Sequence, residues 1–271
     1  MKGIDDTFCL FYDESFSQST PYSSDNDYVR KTAPRVENTI SLLPDLNGCT
    51  VLDLGASPFY FLYRCKKLGA DWVSGIFFSN DAHPLAGCSE AYTEHGTIDI
   101  FHSDLLREKL PYDDDSFDII GAMEIFEHFP MYPSLLLSEI TRVIKPGGLF
   151  FITVPNIHRL ANIAKLLLKR NIFMPYRSDT SGRHAHEYTK AQVMALTEES
   201  IFGKNSKVRP VFTRNGLHSN LIQQFVSLTP LVDWLAPVWF GSTSLDKALG
   251  TSEIGFPKAL YDEAESIEHS L

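Results

Sequence analysis

Basic charge, metal-spaced cysteine and long apolar runs are all scarce in this chain. Lys and Arg number 24 against 34 Asp and Glu, a formal net charge of −10. Proteins that hold nucleic acid chiefly by its phosphates carry a basic face, so this balance argues against a nucleic-acid partner. Cys9, Cys49, Cys65 and Cys88 show neither the paired spacing of a zinc site nor a disulfide framework. They read as reduced thiols and point to a cytoplasmic protein. No apolar run is long enough to span a bilayer. Early acidic residues interrupt any signal-peptide core. There remain 271 residues, 44% of them hydrophobic, which is enough for one globular domain with a full core.

That core is organised around Thr50-Val51-Leu52-Asp53-Leu54-Gly55-Ala56-Ser57-Pro58. Val51 to Leu54 is a short apolar run broken by one acid and closed by glycine, the pattern of a buried parallel strand ending in a tight turn. The apolar and basic stretch Phe59 to Leu68 then predicts a helix starting near Pro58, since proline is tolerated at a first helical position. Strand, glycine turn and helix open a doubly wound sheet, whose ligand lies beyond the carboxyl ends of the strands. Further strands are expected at Trp72–Phe78, Thr97–Phe101, Phe117–Ala122, Leu149–Val154 and Lys207–Phe212. Apolar residues at three- and four-residue steps from Asn26 to Leu43 predict an amphipathic helix before the first strand, and Ile157 to Lys169 predicts another.

Four segments recur in order: Val51-Leu-Asp-Leu-Gly55; Asp104 ahead of Leu110-Pro-Tyr-Asp-Asp-Asp-Ser-Phe-Asp118; Glu124-Ile-Phe-Glu-His128; and Glu139 to Gly148 leading into Thr153-Val-Pro-Asn156. Together they resemble the class I S-adenosylmethionine (SAM)-dependent methyltransferases, in the branch with small-molecule, lipid and sugar acceptors. The resemblance runs from Val51 to about Asn156, with a weaker echo near His184 to Thr189. It implies an α/β, Rossmann-like, doubly wound and mostly parallel sheet with an N-terminal helical lid and C-terminal insertions. Residues 1–47 would form the arm and helix, and 48–271 the methyltransferase domain, with substrate-side insertions around 157–190 and 213–260. The cofactor would be SAM. Asp53, Gly55 and Ser57 would meet its methionine end, Asp104 and Leu105 its adenine. Two departures stand out. Ser57 and Phe59 occupy the places of the family's second and third glycines, and Phe77 that of the acid that usually binds the ribose. Asn80 or Asp81 would then serve the ribose, unless the pose is altered or the site degenerate.

The resemblance places Glu124, Glu127 and His128 at the reaction, with His128 the first candidate base. Asn156, His184, His186 and Tyr188 would line the acceptor side, and Thr189 is read as a helix N-cap. Glu-x-x-Glu-His also resembles the metal-binding motif of small-RNA 2′-O-methyltransferases, which His184 and His186 would complete. The Glu-His pair is common in metal-free relatives, so no metal is expected. Leu221 to Phe240 reads as a hydrophobic cap on the sheet or a surface meeting lipid or a partner. Function follows as methyl transfer from SAM to an oxygen or nitrogen of a small-molecule, natural-product or sugar-like acceptor. Two alternatives stay open: attack on the aminocarboxypropyl arm of SAM with release of methylthioadenosine, and a non-catalytic methyltransferase-like binding protein. A homo-oligomer also stays open.

Overall fold

A computed structural model describes residues 9–10, 22–23, 27–78, 87–173, 183–201, 203–212, 232–245, 257 and 260. Two short strands, β1 (Cys9–Leu10) and β2 (Tyr22–Ser23), pair with each other. Helix α1 (Asp27–Ile40) matches the amphipathic segment expected there. β3 (Thr50–Leu54), α2 (Tyr60–Lys67) and β4 (Trp72–Phe77) form the first crossover unit. After it come β5 (Glu90–Thr93), β6 (Gly96–His102) and β7 (Phe117–Met123), a 3-10 turn at Phe126–His128, and α3 (Ser134–Val143). The chain continues through β8 (Ile144–Pro155), α4 (Leu160–Leu167), α5 (Lys190–Glu198), β9 (Gly203–Val211), α6 (Val232–Leu235) and β10 (Val238–Leu245).

Eight strands make one sheet in the order β5-β6-β4-β3-β7-β8-β10-β9. β6, β4, β3, β7 and β8 are parallel, while β10 runs antiparallel to both β8 and β9. Side chains alternate across such a sheet. Val51, Val73, Ile119 and Phe151 accordingly join Val29, Tyr60 and Phe61 in one core beneath α1 and α2. Leu52, Leu54, Ile76, Ile120 and Ile152 join Leu137, Ile140, Val193 and Leu196 beneath α3 and α5. Two cores on opposite faces are what a doubly wound sheet requires. Because strand order reverses at β3, the carboxyl ends of β3 and β7 diverge there and leave a crevice.

Four expectations needed correcting. Helix α2 begins at Tyr60 rather than near Pro58, because Phe59 sits at φ 65° in the left-handed region and cannot belong to a right-handed helix. β8 starts at Ile144, five residues early, since Ile144 pairs with Phe117 ahead of a register shift around the glycines. The end of the supposed hydrophobic cap is β10, whose Trp239 and Phe240 are core residues. Most of that stretch, 213–231, lies outside the described residues. α4 buries only Asn162, while Leu160, Leu166 and Leu167 remain exposed. The antiparallel strand β5 was not anticipated.

Candidate active site

Asp53 is delivered by the last turn of β3 and is 2% exposed. Its Oδ1 has no hydrogen-bond partner, and burial alone pushes its pKa well above the ordinary carboxylate range. A buried acid left unsatisfied costs free energy, and a cation placed beside it would offset that cost. The ammonium of a bound amino-acid moiety is such a cation. Gly55 follows at φ 79°, where a side chain would collide with Ile125 Cδ1 and sit 3.3 Å from its Cβ. The turn is therefore built for close backbone approach.

Asp53 and Gly55 share a small cleft with Tyr28, Thr32 and Arg35 of α1, Ser57 and Pro58 of the turn, and Met123 and Glu124 beyond β7. Arg35 Nη1 lies 2.8 Å from Glu124 Oε2, an ion pair that bridges α1 to the end of β7. The cleft's volume is ≈ 70 Å³, against about 300–1,000 Å³ for sites that enclose drug-sized ligands. The α1 residues Tyr28, Thr32 and Arg35 form one wall of this cleft.

The carboxyl end of β4 is aromatic. Phe59 and Phe77 are both buried and meet edge to face with ring centroids 5.0 Å apart, and His102 lies 4.5 Å from the Phe77 ring. The two departures from the family pattern are thus one feature: a phenylalanine replacing glycine packs on a phenylalanine replacing the acid. Phe59 nevertheless keeps the left-handed backbone that glycine adopts freely, at a cost of about 1–3 kcal/mol. Glu124 shares that strained conformation at φ 54°, so both loops flanking the cleft carry strain. Asn80 and Asp81 lie outside the described residues. Asp104 Oδ1 accepts from Leu106 N at 3.0 Å and closes a local turn, while Leu105 is a buried core residue. The structure does not bring these two into the cleft.

The Glu124, Glu127 and His128 group divides. Glu124 turns to Arg35, whereas Glu127 and His128, on the 3-10 turn, face the segment 183–188. Backbone N–H groups of Ala185 and His186 donate to the Glu127 carbonyl at 2.6 and 3.1 Å and pin that segment in place. Glu127 is fully buried with both carboxylate oxygens unpartnered; burial first, then Glu124, raises its pKa well above the usual range. His128 Nδ1 lies 3.0 Å from the Arg183 carbonyl. A carbonyl only accepts, so Nδ1 carries the proton and Nε2 keeps its lone pair. Burial lowers the His128 pKa against a smaller opposing pull from that hydrogen bond. The imidazole is therefore neutral at pH 7.

His184 stands against His128 with ring centroids 5.1 Å apart. Behind it, Glu187 is gripped by Arg159 Nη2 at 3.0 Å and Asn162 Nδ2 at 2.7 Å. His186 and Tyr188 line a second cavity of ≈ 230 Å³ together with Phe129, Met131, Tyr132 and Leu196. Tyr188 donates its hydroxyl to the Phe126 carbonyl at 3.3 Å, and Thr189 caps α5 in a reciprocal capping box with Gln192, as expected. Asn156 makes structural hydrogen bonds. Fully buried, it donates from Nδ2 to the Ala236 carbonyl at 2.8 Å and accepts from His158 N at 2.9 Å.

Sequence reasoning missed Arg35, Arg159, Asn162 and Glu187. A signal existed for the first: Tyr28, Thr32 and Arg35 recur at four- and three-residue steps beside the apolar stripe of α1. The others become visible only once α4 is laid against the 183–188 segment.

Residues 52–152 match the methyltransferase domain family. A curated relative, the ubiquinone biosynthesis O-methyltransferase of Paraburkholderia phymatum, is 31% identical over 112 residues, covering 41% of this chain and 46% of the relative. This chain therefore spans less than half of that relative's length. Among solved structures, a methyltransferase in complex with the Trm112 activator of Haloferax volcanii aligns with TM-score 0.55 and 17% identity over 83% of this chain and 94% of its own. A SAM-dependent methyltransferase from Mesorhizobium loti aligns with TM-score 0.52 and 15% identity over 78% and 98%. The fold is thus that of the Rossmann-like methyltransferases. A methyltransferase domain matches the stretch from β3 to β8, and the sheet order is that of the fold these SAM-dependent methyltransferase neighbours share.

Proposed function

We propose that this protein methylates an oxygen or nitrogen of a small-molecule, natural-product or sugar-like acceptor in the cytoplasm. The observation that carries the reading is the His128 imidazole, neutral and fixed by Arg183 with its Nε2 lone pair exposed to the segment that bears His184 and His186. SAM, when bound, supplies the electrophilic methyl group. The chain's own part is alignment and the removal of one proton from the acceptor. Asp53 holds the amino-acid end of the cofactor, Glu124 and Arg35 close over it, and His128 takes the proton at Nε2. The cavity beside His186 and Tyr188 offers an acceptor both aromatic walls and polar groups. The name of the Paraburkholderia relative supports a hydroxyl as the first kind of acceptor to try.

The pH profile tests this assignment. Since burial lowers the His128 pKa from 6.5, the acid limb of kcat/KM should have its midpoint below pH 6.5. Activity should be full above that limb and lost as His128 protonates. A midpoint above 6.5, or no acid limb, would rule out His128 as the base. The Phe59–Phe77 pair favours one other reading, attack on the aminocarboxypropyl arm, because it reshapes the ribose end. Methylthioadenosine among the products would support that reading instead.

A further inference from the structure

We propose that Glu187 is a positioning residue for the base His128 and acts on it through His184. The role rests on the methyl-transfer reading above, and it names a residue outside the segment that bears the base.

Glu187 is an ionised carboxylate in a place that discourages one. It is 7% exposed. Burial raises its pKa, but contacts with His184, Arg159 and Asn162 outweigh that and hold it below the usual carboxylate value. Arg159 Nη2 donates to Oε1 at 3.0 Å and Asn162 Nδ2 to Oε2 at 2.7 Å. These two are themselves fixed: Arg159 Nε donates to Asn162 Oδ1 at 3.2 Å, and Asn162 Nδ2 also reaches the Ile157 carbonyl at 3.0 Å.

The helix that supplies this grip is built around it. A surface helix normally buries an apolar stripe. α4 instead buries Asn162 and leaves Leu160, Leu166 and Leu167 exposed, so its hold on the 183–188 segment is polar and directed at Glu187. A buried ion pair adds little net stability, and its better use is to fix one arrangement.

What the carboxylate fixes is His184, whose Nδ1 lies 3.5 Å from Glu187 Oε1. An ionised carboxylate only accepts, so the neutral ring carries its proton on Nδ1 and keeps the Nε2 lone pair. The ring so held stands edge to face against His128, with centroids 5.1 Å apart and planes at 78°. His128 is thereby braced twice, at Nδ1 by the Arg183 carbonyl at 3.0 Å and across its ring by His184. A catalytic group works when it is held within about 0.5 Å of its productive place by neighbours that are themselves locked. Glu187 is the lock on His184.

Nitrogen-15 imidazole NMR of the native full-length protein at alkaline pH, without SAM or acceptor, tests the orientation apart from any activity. His184 should be protonated on Nδ1, and Glu187→Gln should shift it towards the Nε2–H tautomer. Glu187→Gln should also lower kcat by about 10- to 100-fold with KM for SAM unchanged. Glu187→Asp, which keeps the charge, should recover part of that loss, and it carries the test if the glutamine variant fails to fold. In a His184→Ala background the same Glu187→Gln change should cost less than about twofold more, since residues that act as a unit are not additive. His184 protonated on Nε2 in the native protein, equal losses in the two backgrounds, or a native rate in Glu187→Gln would overturn the proposal. No methylated product from the native protein would instead remove the reading on which the role rests, and the nitrogen spectrum tells the two failures apart.

Discussion

Asp53→Asn is expected to weaken SAM binding roughly 30- to 150-fold, the loss of a charged hydrogen bond of about 2–3 kcal/mol, while making the ligand-free protein more stable. Both effects have one origin. The carboxylate is 2% exposed and its Oδ1 has no partner until a cation arrives. Burial raises its folded pKa above the unfolded value of 3.8. The ionised form therefore opposes folding: stability is fully present below pH 3.8 and falls as pH rises through the folded pKa. The asparagine variant lacks that fall. Its melting temperature without ligand should exceed that of the native protein at neutral pH, by about 2–4 °C for each 1 kcal/mol recovered in a chain of this size. The gap should narrow as pH falls towards 3.8. Saturating SAM should reverse the order, since a ligand at 100 times its Kd stabilises by about 2.7 kcal/mol. Thermal shift at several pH values with and without SAM measures all of this. Equal SAM affinity in the two proteins would remove Asp53 from the site.

His128→Ala is expected to lower kcat by about 10²–10⁴ and leave SAM affinity unchanged. The imidazole sits on the 3-10 turn beyond β7, held by the Arg183 carbonyl at 3.0 Å, away from the cleft that Asp53 shares with Glu124. Its loss should therefore act on the reaction and leave cofactor capture alone. Single-turnover rates and SAM titration by calorimetry separate the two. An equal loss in affinity and rate would place His128 in cofactor binding instead.

The parallel strands were legible because buried strands read as short apolar runs stopped by glycine or acid, as in Val51 to Gly55. Thr189 was legible as a cap because its hydroxyl and Gln192 form a local motif that needs no tertiary context. β10 was not. Val238 to Phe240 is apolar on every residue, and only the long-range pairing with β8 and β9 makes it a strand. Phe59 shows another limit: the sequence places a bulky residue at a glycine position but cannot show that the backbone stays left-handed and that Phe77 receives the ring. The Glu124 to His128 segment stood out in the sequence as one group, yet its division followed from the direction each side chain takes after β7. Asn156 shows the same limit: only the fold reveals that its amide bonds the Ala236 carbonyl and the His158 N–H.

The nucleoside product decides whether this protein transfers a methyl group. Incubating the protein with SAM and a panel of hydroxylated aromatic and sugar acceptors, with native mass spectrometry confirming bound SAM, should yield S-adenosylhomocysteine and one methylated acceptor in equal amounts. Methylthioadenosine in its place, or SAM that stays bound and intact across the whole panel, would contradict methyl transfer.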